Sequence, residues 1–135
     1  MDTPREITPP QSSPETAPYW MAAREGRLLV KRCEACGERH AYPRALCPFC
    51  FSEDTVWEEA SGRGTVYSFS IMRRAKPPYA VAYVTLEEGP TIISNIVDAE
   101  FDALRIGQPV TLTFRDATDG QPVPMFRPAG EGLRA

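Results

Sequence analysis

Histidine is nearly absent from this 135-residue chain, and cysteine is absent outside one short stretch. A single His40 and four cysteines held within 18 residues leave no Ser/His/Asp or Cys/His set for nucleophilic catalysis. No apolar run approaches the roughly 20 residues that span a bilayer. Residues 1–18, MDTPREITPPQSSPETAP, lack the apolar centre of a secretion signal. The reading is a cytoplasmic protein with reduced thiols and no membrane partner. Positive charge is also scarce: the net charge is −3. That argues against a general nucleic-acid binder, whose affinity comes from cations replacing counterions at phosphates.

What is present concentrates in Cys33–Cys50, which reads CEACGERHAYPRALCPFC. Two C-x-x-C pairs, Cys33/Cys36 and Cys47/Cys50, stand ten residues apart. Each pair sets two sulfurs on one side of a tight turn, and two facing turns build a thiolate tetrahedron. Zn²⁺ accepts that geometry at about 2.3 Å per sulfur. Gly37 can supply a positive φ after the first pair, and Pro48 stiffens the second. Two disulfides are the alternative, and nothing in the sequence points to export. Four thiolates fill the coordination sphere, so the ion is structural rather than catalytic. A ribbon this small buries too little apolar surface alone, and metal replaces the missing core.

Around this stretch the text divides. Residues 1–17 are rich in Pro, Ser, Thr and Glu and read as a disordered tail. Thr16 as a cap, Pro18 in the first turn and Gly26 at the end predict a short helix. Tyr19 and Trp20 sit on it side by side. Residues 18–55 thus form the helix and ribbon. Arg24, Arg27, Lys31, Arg32, Arg39 and Arg44 against Glu25, Glu34 and Glu38 give this span a local charge of +3. His40 reads as a ribbon surface residue. Residues 56–128 read as strands at 56–59, 64–72, 80–86, 91–97, 110–114 and 123–126, with a hairpin at Glu87–Pro90. About five short strands without a long helix predict a small barrel, most simply an OB-fold. Residues 129–135 form a C-terminal tail. The expected class is mainly β: short helix, zinc ribbon, five-stranded OB barrel.

The order of motifs carries a resemblance. Gly26-Arg27-Leu28 after the Tyr-Trp helix, Cys33-x-x-Cys36-Gly37, Pro43-Arg44, Cys47-Pro48-x-Cys50, Trp57, Ser61-Gly-Arg-Gly-Thr-Val-Tyr-Ser68, Leu104-Arg-Ile-Gly107 and Phe126-Arg-Pro128 follow one another. This resembles the zinc-ribbon/OB-fold proteins of acyl-CoA metabolism, long catalogued as a domain of unknown function. Phe51 departs from the pattern, standing where a second knuckle glycine is usual. The resemblance implies a rubredoxin-like ribbon and a role as a small, non-catalytic partner of thiolases or thiolase-like aldolases. The partner then owns the catalytic groups, and this chain helps form the site for a CoA thioester.

The residues suggest where such roles would sit. Arg73, Arg74, Lys76, Pro78 and Tyr79 lie between two strands, where an OB barrel presents ligand loops. Arginine forks suit the CoA phosphates and Tyr79 suits its adenine. Arg63 is a further cation for this purpose. Tyr19, Trp20, Arg24, Arg44 and Arg127 are candidates for partner contact. Glu87, Glu88, Asp98, Glu100 and Asp102 read as a solvated face without cations near them. Two other classes remain: a single-stranded nucleic-acid module stacking bases on Tyr67 and Phe69, and a rubredoxin-like electron carrier with iron on the four cysteines.

Overall fold

The computed structural model describes residues 5–129. One helix, α1 (Ala17–Arg24), precedes a three-stranded antiparallel sheet of β1 (Leu29–Cys33), β2 (Arg39–His40) and β3 (Thr55–Glu59), ordered β2-β1-β3. Five strands follow: β4 (Arg63–Met72), β5 (Tyr79–Leu86), β6 (Thr91–Ile96), β7 (Pro109–Asp116) and β8 (Pro122–Pro128). They close as β4-β5-β6-β8-β7, with a 3₁₀ turn at Phe101–Ala103 between β6 and β7. The mainly-β architecture expected from the alternation is the one observed, as a closed barrel.

Alternation explains the barrel interior. Val66, Ala80, Ala82, Val84, Leu86, Ile92, Ile96 and Val110 point inward, and Phe126 is fully buried among them. Small Ala80 and Ala82 and large Phe126 share this buried cluster, a mix of sizes common inside small barrels. The last strand is no loose edge. β8 runs antiparallel to β7 over seven pairs, Val110↔Pro128 to Asp116↔Pro122, and meets β6 in parallel at Ile96↔Phe126. Closure removes the unpaired backbone an open sheet would expose.

Four features differ from expectation. First, β3 pairs with β1 over five residues, Leu29↔Glu59 to Cys33↔Thr55, so residues 55–59 belong to the ribbon's sheet. Second, residues 5–16 lie against the body where a tail was expected. Arg5 Nη1 donates to Asn95 Oδ1 at 2.9 Å, Thr118 N donates to Ile7 O at 3.0 Å, and the Ala45 amide donates to Glu15. Third, Thr16 stands at the helix N-cap without a side-chain cap bond; its Oγ1 instead accepts from the Ser13 amide at 2.9 Å. Fourth, a bulge between Val66 and Ser68 breaks the alternation of β4. Tyr67 points out while Phe69 packs against the core, so the two rings do not form one outward stacking face.

An eight-residue helix does not hold alone in water. Here α1 buries Ala22 and Ala23 against the body, and Gln121 Nε2 donates to Trp20 O at 3.2 Å. Leu28 and Val30 enter the same apolar cluster as the barrel strands, and the Ala60 amide donates to Leu28 O at 2.8 Å. Ribbon and barrel therefore share one core.

Candidate metal centre and ligand-facing loop

The two knuckles repeat one backbone pattern. Gly37 N donates to Cys33 O and Phe51 N to Cys47 O, both at 2.8 Å; Cys33 N donates to Glu38 O and Cys47 N to Ser52 O, both at 2.9 Å. Each turn ends on a left-handed residue, Gly37 at φ 81° and Phe51 at φ 66°. Phe51 thus completes the same turn as Gly37 and leaves the ligand positions intact. Phenylalanine is forced into the conformation glycine adopts freely, at a cost of about 1–2 kcal/mol.

These turns bring all four sulfurs within 4.8 Å of one another. Cys33 and Cys50 Sγ stand 3.6 Å apart and Cys36 and Cys47 Sγ 3.7 Å apart. A tetrahedral ion bound at about 2.3 Å requires sulfur–sulfur edges of about 3.8 Å. The cysteines are all free thiols. The donor set therefore fits one tetrahedral metal ion, with every coordination position taken by the chain. Backbone amides support the sulfurs: Cys36 N donates to Cys33 Sγ at 3.5 Å and Phe49 N to Cys47 Sγ at 3.4 Å. The amides of Cys36 and Ala35 hold the Cys33 thiol down at about 7. At Cys36 the Glu38 amide pulls downward, yet burial and the surrounding thiols push the group up to about 12. Four crowded thiols resist joint ionisation, and a dication removes that repulsion.

His40 is buried, contrary to the surface reading, because β2 is a two-residue strand with Arg39 outward and His40 inward. Neither ring nitrogen has a hydrogen-bond partner. Burial first, then the positive Lys31 and Arg44, hold its pKa low, so the ring is neutral. It is not among the metal-ligating atoms.

The +3 span is largely neutralised within the chain. Arg27 pairs with Glu25 and Glu59, Arg32 with Glu34 and Glu58, and Arg39 with Glu58. β3 supplies Glu58 and Glu59 from outside the stretch, which reduces the local balance from +3 to +1. Lys31 is buried, donating to Arg44 O at 3.0 Å with its ammonium 4.6 Å from the Trp57 ring centre. Arg24 and Arg44 stay exposed, and neither has an ion-pair partner among the described residues. On the same knuckle, Leu46, Phe49 and Phe51 present large apolar side chains to solvent.

The loop from Arg73 to Tyr79 does not converge as a set. Arg73 pairs with Asp102 at 3.1 Å, and Arg74 and Lys76 extend into solvent. Pro78 and Tyr79 instead line a cavity of about 420 Å³ on the barrel. Arg63 is engaged by both Glu87 oxygens, at 3.0 and 2.9 Å. Glu87, Asp98 and Asp102 are solvent-exposed as expected, but not without cations near them: they meet Arg63, Arg115 and Arg73 respectively. Of the partner candidates, Tyr19 packs toward the core with its hydroxyl pKa pushed up to about 12, by burial first and then by Tyr42. Trp20 meets it edge-on at 4.9 Å. Arg127 is exposed on β8. No sequence signal announced the cavity. Its polar wall joins Arg5 to Asn95 across 90 residues.

Two family domains match adjoining stretches of the chain: the ChsH2 rubredoxin-like zinc ribbon domain at residues 20–56 and the ChsH2 C-terminal OB-fold domain at residues 57–115. The chain is 36% identical over 132 residues to a probable enoyl-CoA hydratase alpha subunit from Thermomonospora curvata, covering 93% of this chain and 41% of that protein. It thus spans about two fifths of that relative. It is 35% identical over 114 residues to a DUF35 domain-containing scaffold protein from Methanocaldococcus jannaschii, covering 75% of this chain and 80% of that one. A benzoylsuccinyl-CoA thiolase subunit, BbsA, from Geobacter metallireducens is 34% identical over 86 residues, 61% of this chain and 58% of its own. Among solved structures, a chain of the Ltp2-ChsH2(DUF35) aldolase superposes with a TM-score of 0.80 at 35% identity, covering 90% of this chain and all of that one.

Proposed function

Because the chain belongs to the DUF35 family of ChsH2-type zinc-ribbon/OB-fold proteins, we propose that it is a non-catalytic accessory subunit of an acyl-CoA enzyme. One structural Zn²⁺ on Cys33, Cys36, Cys47 and Cys50 holds the ribbon. The chain docks on a thiolase-fold or thiolase-like aldolase subunit and helps form its acyl-CoA site. It thereby supports thiolytic or retro-aldol C–C cleavage, or the reverse condensation, of CoA esters. The observation that carries this reading is the closed four-sulfur site in a chain whose one histidine is shut inside, in a family some of whose relatives are named as subunits of acyl-CoA enzymes. The bound ion supplies cross-linking of the ribbon and no open position for substrate.

The second knuckle is the natural docking element. Leu46, Phe49 and Phe51 are 45%, 60% and 74% exposed, and isolated soluble chains seldom display such a cluster without a partner. Arg24, Arg44, Arg127 and Trp20 are further candidates for partner contact. Arg74 and Lys76, with no carboxylate partner among the described residues, are the cations best able to meet CoA phosphates, next to Pro78 and Tyr79.

Co-expression with a thiolase-fold or aldolase subunit tests the proposal. Light scattering on the size-exclusion peak is expected to show one hetero-oligomer containing both chains and one zinc per copy of this chain. Separate elution of the two, with the partner soluble by itself, would overturn it.

A further inference from the structure

The cavity beside Tyr79 is bounded by the barrel on one side and the N-terminal segment on the other. Its floor is Ile96 and Met125, and Pro78, Ala99 and Phe101 contribute further apolar wall. At about 420 Å³ it falls within the roughly 300–1,000 Å³ range of small-ligand sites. The polar groups are few and already ordered. Arg115 is neutralised by Asp98, and Asp98 is the one carboxylate on the lining. Arg5 is different. Its guanidinium stacks 3.8 Å above the Tyr79 ring and spends Nη1 on Asn95 Oδ1. Asn95 is itself held by donating to Ala80 O at 3.0 Å, and Ile7, two residues beyond Arg5, is fixed by the Thr118 amide. No carboxylate among the described residues pairs with Arg5.

A guanidinium carries five N–H donors in one plane, and stacking on an aromatic face leaves its edge available. One positive group held rigidly at the edge of an apolar chamber is complementary to an apolar body that ends in one negative charge. We infer that this cavity binds an apolar carboxylate, with the carboxylate on Arg5 and the hydrocarbon against Ile96, Met125 and Phe101. The carboxylate can belong to a free acid or to the far end of an acyl group carried on CoA. The inference stands whether or not the chain joins a thiolase-fold partner, since every lining residue is its own.

The test uses the full zinc-loaded chain alone, by calorimetric titration with decanoate, decan-1-ol and the mono-CoA thioester of decanedioate. Decanoate should bind about tenfold more tightly than the alcohol, the discrimination expected of one charge-assisted hydrogen-bonded pair. Arg5→Gln should bring the two within about twofold of each other, and Ala99→Trp should abolish both by filling the chamber. Arg5-dependent binding of the thioester identifies a CoA-borne carboxylate, and binding of decanoate alone identifies a free acid. Equal affinity for acid and alcohol, indifference to Arg5→Gln, full binding by Ala99→Trp, or no binding at about 1 mM ligand overturns the inference.

Discussion

Replacing Phe51 by glycine should make the isolated chain more stable and its complex weaker. Phe51 holds φ 66° and its residue surface is 74% exposed. Relaxing a left-handed non-glycine residue gains about 1–2 kcal/mol in the folded state. The extra freedom of glycine in the unfolded chain returns about 0.5–1 kcal/mol of that gain. Little packing is lost, because most of the ring is in water. The net expectation is stabilisation by about 0.5–1 kcal/mol, or a rise of about 2–4 °C in Tm for a chain of this size. Since ribbon folding and metal binding are linked, zinc affinity should rise about threefold in a competition titration. Phe51→Ala is the control: it removes the ring, keeps the strained φ, and should lie within about 0.5 kcal/mol of the wild type. Both variants should lose affinity for the partner if the knuckle docks there. A lower Tm for the glycine variant than for the alanine variant would refute the backbone argument. Unchanged complex affinity in both would refute the docking argument.

Three further outcomes follow from the same structure. Cys47→Ser leaves a three-sulfur site, and elemental analysis and circular dichroism should find zinc lost and the ribbon unfolded; a folded ribbon with full zinc would remove the staple role. Gly64→Ala places a Cβ 2.8 Å from both Thr85 O and Val84 Cγ1, so β4 must shift from β5; denaturant titration should show a loss of about 1–3 kcal/mol. Tyr19 titrates at about 12 in the folded chain against its ordinary 10. Because the folded pKa is raised, the neutral form is favoured by folding: its contribution is complete below pH 10 and is lost as pH rises toward 12. The loss is about 2–3 kcal/mol. Tyr19→Phe should flatten the alkaline limb of the stability profile, and an unchanged limb would show that other groups set it.

Local pattern made most of the fold legible. Alternating residues marked the strands, and the two C-x-x-C pairs marked the sulfur cluster, because both signals lie within a few residues of each other. What could not be read depends on distant partners. Glu58 and Glu59 cancel the ribbon's cations only once β3 lies beside β1. His40 turns inward because Lys31 pairs opposite it. The bulge after Val66 moves Phe69 to the core side, which no alternation count anticipates. Arg5 reaches Asn95 and Tyr79 from a segment whose composition looks unstructured. Composition reports how much apolar surface a segment can bury, not whether a single arginine finds an aromatic face. At Phe51 the sequence departs from the usual knuckle, and the turn is held by two backbone bonds, Phe51 N to Cys47 O and Cys47 N to Ser52 O.

The most direct test of the accessory role is the activity of the thiolase-fold or aldolase partner, measured on its CoA ester with and without this chain. The chain alone should turn over nothing, the partner alone should be inactive or insoluble, and the wild-type chain should restore turnover where Cys47→Ser does not. Full activity from the partner by itself, or measurable turnover by this chain alone, would contradict it.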